Sequence, residues 1–302
     1  MRRKITLLRH GMPAVDASVS PEEWPLSSDG AAAASALRLD GTAVSSPELK
    51  ARQTTVLATG AEEGTVVQDA RFREVDREEL VHDDFRSARR AWVAGRLDER
   101  HVSWETPDDV AQRFHEGLLA HPAEHIVVGT HGMALTAWMV AQGLIEAGDP
   151  AVAFWETLRF PDVIELDLPL PRVRALLTDD DGRIILIKRT RAGHAPYWTT
   201  PGGGMALSDA TPEDALRREL REELGAEAWI GEVIHERRID GIRSEIFYAA
   251  RLTGIDPSRR NGPEFDDPSH GRYDIERVAL DRIAGLDLRP AELVSVLRAT
   301  SA

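Results

Sequence analysis

Three glutamates, Glu219, Glu222 and Glu223, lie within the stretch Arg218-Glu219-Leu220-Arg221-Glu222-Glu223-Leu224-Gly225. On a helix, residues three and four apart share one face, so these carboxylates can converge on one point. Like charges at that spacing cost roughly 0.2–0.5 kcal/mol per pair unless a cation offsets them. Hard oxygen donors in this number suit Mg2+ or Mn2+, ions that also grip phosphate oxygens. A solvated acidic helix face is the competing reading in a chain that is 29% charged. A second constellation pairs Arg9-His10-Gly11, behind the apolar run Ile5 to Leu8, with Thr130-His131-Gly132, behind Ile126 to Val128. Both tripeptides fall at the C-terminal ends of strand-like runs, where open α/β sheets bind ligands. A lone histidine there is more often a packing residue; two His-Gly strand ends in one domain reverse that reading.

The glutamates need a helix, and its limits are legible. Thr211 is a candidate N-cap, Pro212 suits the first helical position, Asp214 completes a capping-box-like start, and Gly225 is a left-handed stop. Ahead of it, Trp198-Thr199-Thr200-Pro201 leads into Gly202, Gly203 and Gly204, a loop whose backbone can approach a ligand closely. Glycine loop, capped helix and carboxylate face together resemble the Nudix hydrolase signature. Its second half, Arg-Glu-apolar-any-Glu-Glu-any-Gly, matches residue for residue; in its first half the expected Glu falls on Ala210, with Asp209 beside it and the glycines shifted. The resemblance implies hydrolysis of a nucleoside diphosphate linked to another group. It makes Glu219, Glu222 and Glu223 ligands of Mg2+ or Mn2+, Glu222 and Glu223 part of the catalytic set, and Gly203 and Gly204 substrate-binding backbone. Arg218 would brace the glutamates. Glu264, in Gly262-Pro263-Glu264-Phe265, is a candidate general base, against the reading of a surface-loop acid.

The N-terminal constellation has company in Ser45-Ser46-Pro47 followed by Lys50-Ala51-Arg52-Gln53-Thr54. The ordered set resembles the histidine phosphatase superfamily over roughly residues 1–165. The resemblance implies covalent catalysis without metal: His10 attacks phosphorus, while Arg9, Lys50 and His131 surround the phosphoryl oxygens. Glu74, in Phe72-Arg73-Glu74-Val75-Asp76, sits where the family places the acid that protonates the leaving oxygen, with Asp76 the second choice. Position 50 is usually Arg in the family; Lys offers a point charge in place of a bidentate fork. Lysine occurs in this chain only at 4, 50 and 188.

Of the other histidines, His82, His101, His115, His121 and His125 read as surface or structural, while His194, His235 and His270 fall in the second domain, where substrate contact stays open; Arg86, Arg89 and Arg90 read as an exposed helix face. Trp198 and Tyr197 are candidates for stacking on a base, with core packing the equal alternative. At 302 residues the length suits two domains. With no cysteine, disulfides, thiolate metal sites and a Cys nucleophile are excluded. A formal charge of −14 disfavours a nucleic-acid partner. Arg2-Arg3-Lys4 precedes an apolar run too short for a signal peptide or membrane span, giving the expectation of a cytoplasmic protein with no membrane partner.

Strands alternating with helices near 30–39, 49–58, 107–120 and 132–143 favour a three-layer α/β sheet in the first half. Val163 to Leu166 reads as its closing strand, and Pro169-Leu170-Pro171 as a stiff linker that cannot join a ladder. Further strands are expected at about 172–178, 183–189, 228–238 and 243–252, with a final helix after Pro290. The fold expectation is therefore α/β throughout: a three-layer α/β/α phosphatase-like domain over 1–168 and an α/β/α Nudix-like sandwich with a mixed sheet over 169–302. The functional expectation is a bifunctional phosphohydrolase acting on a small nucleoside diphosphate derivative and a phosphate ester, the fusion suggesting successive steps. Two alternatives stay open: a non-catalytic first domain beside an active Nudix domain, and a nucleotide-derivative sensor.

Overall fold

The structure, a computed structural model, describes residues 2–78, 84–239, 243–262 and 271–299. The chain divides into two compact units, Arg2–Pro169 and Leu170–Ala302.

In the first unit, strands β1 (Arg2–Arg9), β2 (Thr42–Ser45), β3 (Val67–Gln68), β4 (His125–Thr130) and β5 (Asp162–Pro169) form one sheet in the order β3-β2-β4-β1-β5. All neighbours are parallel except β5, which runs antiparallel to β1. The helices are α1 (Ser28–Ala36), α2 (Leu49–Thr59), α3 (Phe85–Val93), α4 (Pro107–Ala120), α5 (Gly132–Ala141) and α6 (Asp149–Thr157). Strand alternation sends Ile5, Leu7, Ile126 and Val128 to one face, into a core with Trp92, Phe114 and Trp138 from α3, α4 and α5. Leu8 and Val127 face the other way, onto Ala58 of α2. Helices thus cover both faces, as expected for a largely parallel sheet. Burying each of the large aromatics contributes about 2–3 kcal/mol. Pro169, read from sequence as linker, instead ends β5 in register with Arg2. An edge strand tolerates proline because its outward N–H has no partner to lose.

In the second unit, β6 (Arg172–Thr178), β7 (Ile184–Thr190), β8 (Tyr197–Thr199), β9 (Ala226–Ile239), β10 (Arg243–Ile255), β11 (Arg272–Val278) and β12 (Leu288–Arg289) form a mixed sheet, in the order β12-β8-β7-β6-β10-β9 with β11 also on β7. Helix α7 (Pro212–Leu224) packs on β6 and β9. Helix α8 (Leu293–Ala299) gives Leu293 and Leu297 to a core with Leu176, Leu186 and Phe247. Leu176 points to α8, so its buried neighbours Ala175 and Leu177 point to the opposite face, the side α7 can reach. Trp198 belongs to the α8 core and donates its Nε1–H to Glu276 at 2.7 Å, which fulfils the packing alternative. Among the described residues no helix is long and apolar enough to cross a membrane.

Candidate active sites

β1 and β4 are parallel neighbours in the register Arg9↔Thr130, so both strands deliver their His-Gly corners at the same level. The His10 N–H donates to the Thr130 carbonyl at 3.1 Å, and the two imidazole rings lie 5.1 Å apart between centroids. Close approach demands the first of the following glycines and favours the second. A Cβ on Gly11 would sit 2.8 Å from the Gly30 carbonyl oxygen, and one on Gly132 would press to 3.2 Å from the Arg9 guanidinium. His10 Nδ1 lies 2.8 Å from the Gly11 carbonyl, which can only accept; Nδ1 therefore carries the proton and Nε2 keeps its lone pair. Burial, with His131, Lys50 and Arg9 nearby, holds the His10 pKa well below its ordinary value, so the ring is neutral at pH 7. His131 Nε2 meets Ser46 Oγ at 2.9 Å, while its buried Nδ1 has no partner. Protonating that nitrogen would place an unpaired N–H in a dry site, and burial pulls the His131 pKa down to about 3 against the attraction of Glu74.

Arg9 is buried, donates Nη1–H to the Leu158 carbonyl at 2.6 Å and lies 3.6 Å from the centroid of the Phe160 ring. Burial lowers its pKa to about 10, partly offset by Glu74 and Asp162, so it stays charged at neutral pH. Glu74 lies at the start of α5: Oε1 accepts from the Ala134 N–H at 3.0 Å and Oε2 from the Met133 N–H at 3.4 Å. Asp76 turns outward to Arg73 and does not join the group. Lys50 is not the open phosphate-facing cation expected from sequence. Its Nζ donates to Glu48 Oε2 at 2.5 Å and to the Pro21 carbonyl at 2.7 Å. Sequence reasoning missed Glu48. It also missed Arg113 of α4, whose guanidinium holds the Arg71, Arg73 and Glu74 carbonyls and the Glu105 carboxylate and so fixes the segment carrying Glu74. The one local signal for Glu48 is its cap position: it precedes α2 as N-cap yet makes no side-chain capping bond, where Ser, Thr, Asp or Asn would be favoured.

In the second unit α7 begins and ends as its sequence signals indicate. Thr211 Oγ1 accepts from the Asp214 N–H at 3.1 Å, and Gly225 adopts φ 63°. Arg218 is the centre of the cluster. Its Nε and Nη2 donate to the two oxygens of Asp209 at 3.0 and 2.9 Å, Nη1 to Glu219 and Glu222 at 3.0 Å each, and Nη2 to the Gly204 carbonyl at 3.0 Å. Asp209 thus supplies the carboxylate that Ala210 lacks. Nor is the glycine displaced: Gly204 stands six positions before Ala210, at the signature spacing, so the acid alone departs. Burial pushes the Asp209 carboxyl up, but the Arg218 and Ala206 hydrogen bonds outweigh it and hold the pKa below the usual range.

The three glutamates do not gather at one point. Glu219 and Glu222 share Arg218 Nη1, while Glu223 Oε2 accepts from the Gly202 N–H at 2.7 Å. Among the described residues no group of three His, Asp or Glu side chains is close enough to hold a metal ion. The donor set nevertheless suits a divalent cation. Two hard carboxylates already converge on one cationic nitrogen, and burial together with Glu222 pushes the Glu219 pKa up despite Arg218. Gly203 makes room for this: a Cβ there would fall 2.4 Å from the Glu219 carboxyl carbon. Gly204 has open space about its Cα and contributes its carbonyl to Arg218. Glu264 lies outside the described residues.

Residues 5–147 match the family model of the histidine phosphatase superfamily (branch 1), and residues 168–292 that of the NUDIX domain. The chain is 40% identical over 72 residues to a CTP pyrophosphohydrolase of Escherichia coli (strain K12), covering 23% of this chain and 53% of that protein. It is 41% identical over 63 residues to an RNA pyrophosphohydrolase of Saccharophagus degradans, covering 21% and 35%. The chain therefore spans about half the length, or less, of these curated relatives. Among solved structures, a mycobacterial glucosyl-3-phosphoglycerate phosphatase is 26% identical with a TM-score of 0.42, covering 56% of this chain and 92% of that one. The two α/β units, their His-Gly corners and their Arg-Glu helix thus belong to two hydrolase families joined in one chain, a histidine phosphatase superfamily domain followed by a NUDIX domain.

Proposed function

We propose that the chain is a bifunctional phosphohydrolase, cleaving a phosphoanhydride of a nucleoside diphosphate derivative in the second domain and a phosphomonoester in the first. The observation that carries the reading is the lock on His10. With Nδ1–H tied to Gly11 and the ring neutral, Nε2 is the free nucleophile, beside Arg9, Glu74 and His131. Nε2 attacks phosphorus and the P–O bond to the leaving group breaks as the P–N bond forms. Glu74 takes up the proton that a phosphate monoester monoanion brings in and passes it to the departing oxygen. Water then attacks the phosphohistidine, returning a proton to Glu74 and releasing inorganic phosphate. Arg9 and the Nε2–H of His131 stabilise the equatorial oxygens.

In the second domain Glu219, Glu222 and Glu223 would hold Mg2+ or Mn2+. The bound ion would polarise the bridging phosphates and acidify an attacking water. The chain's own part is positional: Arg218 aligns Glu219 and Glu222, and the Gly202 N–H orients Glu223. The pyrophosphohydrolase names of the two curated relatives agree with this substrate class. The test is phosphate and nucleotide release from nucleoside triphosphates, dinucleoside polyphosphates and nucleotide sugars, with Mg2+ or with EDTA, using wild type, Glu223→Gln and His10→Ala. Loss of the first cleavage in EDTA and in Glu223→Gln, with only later phosphate release lost in His10→Ala, is the expected pattern. No turnover by wild type would leave the sensor reading. A non-catalytic first domain is favoured by one observation, the neutralised Lys50, and phosphate release unchanged by His10→Ala would establish it.

A further inference from the structure

The anion pocket of the first domain already contains an anion. Glu48 and Lys50 are 7% and 6% exposed, and His131 is fully buried. Glu48 Oε2 accepts from Lys50 Nζ at 2.5 Å; Oε1 accepts from the Glu74 N–H at 2.7 Å and lies 3.2 Å from His131 Nε2. One carboxylate therefore engages two of the groups that would surround a phosphoryl group, plus the backbone N–H of the residue assigned as acid. A buried carboxylate satisfied by three donors is what a bound phosphate oxygen would otherwise be. Neutral His131 adds no positive charge; Lys50 is spent on Glu48, and Arg113, the further cation beside Glu74, is spent on Glu105 and on backbone carbonyls.

We propose that Glu48 is a built-in occupant of the phosphoryl pocket and its specificity-determining residue: a phosphate ester gains Lys50 and His131 only by displacing the Glu48 carboxylate. This rests on the reading of that pocket as a phosphomonoester site. Free inorganic phosphate, which offers little besides its charge, competes poorly with a tethered carboxylate; an ester whose leaving group adds its own contacts competes better. Glu48 thus limits product inhibition and favours larger esters.

The experiment is inorganic phosphate binding to the full chain, by calorimetry in EDTA, for wild type, Glu48→Gln and Glu48→Met, with KM and kcat for p-nitrophenyl phosphate measured in parallel. Glu48→Gln keeps the shape without the charge, and Glu48→Met fills the volume without an acceptor, so the pair covers the case in which one fails to fold. Phosphate affinity is expected to rise roughly tenfold or more in both, as removal of a facing like charge dictates. KM should fall with it. Equal affinity in all three proteins, or weaker binding in folded variants, overturns the role of Glu48 and leaves the phosphate site standing. Absence of binding in wild type and both variants overturns the phosphoryl-pocket reading itself.

Discussion

Mild acid should destabilise the first domain, and His131 allows the size of the effect to be worked out. Its pKa lies near 3 in the folded protein against an ordinary 6.5. A group held neutral by burial contributes fully above its unfolded value. That contribution is lost as pH falls below about 6.5, because the unfolded chain then takes up a proton the folded chain refuses. At pH 5.5 the unfolded histidine is about nine-tenths protonated, and the loss is about 1.4 kcal/mol. His10, also shifted down by burial, His131, Lys50 and Arg9, acts in the same direction. Asp69, whose pKa of about 2 reflects bonds from Arg71 and His121 that overcome its burial, loses its contribution only below the unfolded carboxylate value, outside this window. The assay is urea unfolding at pH 7.5 and 5.5 by fluorescence of the buried Trp92 and Trp138. With a slope of about 2 kcal/mol per molar, His131 alone should lower the midpoint by about 0.7 M. A His131→Asn variant should lose that share of the shift. If His131→Asn keeps the full wild-type dependence between the two pH values, the buried-neutral assignment of His131 is wrong.

Three further outcomes follow from single contacts. Gly203→Ala places a methyl 2.4 Å from the Glu219 carboxyl; a displacement of about 1 Å should cost the metal-dependent cleavage about a hundredfold while the melting temperature changes little, as steady-state rates and calorimetry would show. Arg113→Leu strands Glu105 and frees the carbonyls around Glu74, costing about 3 kcal/mol in urea unfolding and abolishing phosphomonoester turnover; retained turnover would remove Arg113 from the positioning of Glu74. Gly129→Ala drives a Cβ to 1.9 Å from Thr55 Oγ1, where α2 lies on β4, and should cost about 1–3 kcal/mol, with partial rescue by Thr55→Ala in the double variant.

What the sequence displayed were the features whose cause is local. Thr211, Pro212 and Gly225 bound α7 because capping is decided within a few residues. The His-Gly corners stand out because apolar runs lead directly into them. The features that escaped have distant causes. Arg113 reaches across to carbonyls about forty positions earlier, a distance that no spacing pattern encodes. Glu48 carries meaning only because β2, α2 and β4 bring it to His131. β11 was overlooked because its alternation, Tyr273 and Ile275 between Arg272, Asp274 and Glu276, is short and is broken at Arg277, so that its pairing with β7 is what forms the strand. Helix α6 was overlooked too, whereas Arg86, Arg89 and Arg90 were read as a helix face and fall in α3. Arg86 and Arg90 of α3 do face outward as read, but they meet Glu156 of α6. The Nudix acid was half legible: Asp209 was visible beside Ala210, whereas its bidentate grip on Arg218 needed the folded loop.

The Arg218 hub has a consequence for how the second domain can be made. A helix carrying Glu219, Glu222 and Glu223 would repel itself if left uncompensated, and a site that relied on an external ion for relief would tie folding to the supply of that ion. Here the compensating charge is encoded one residue before the first glutamate and is anchored from the far side by Asp209. The domain carries its own compensating cation, so a newly made chain can close this loop and helix without an external ion, and under the proposed metal chemistry loading would be an event that follows folding.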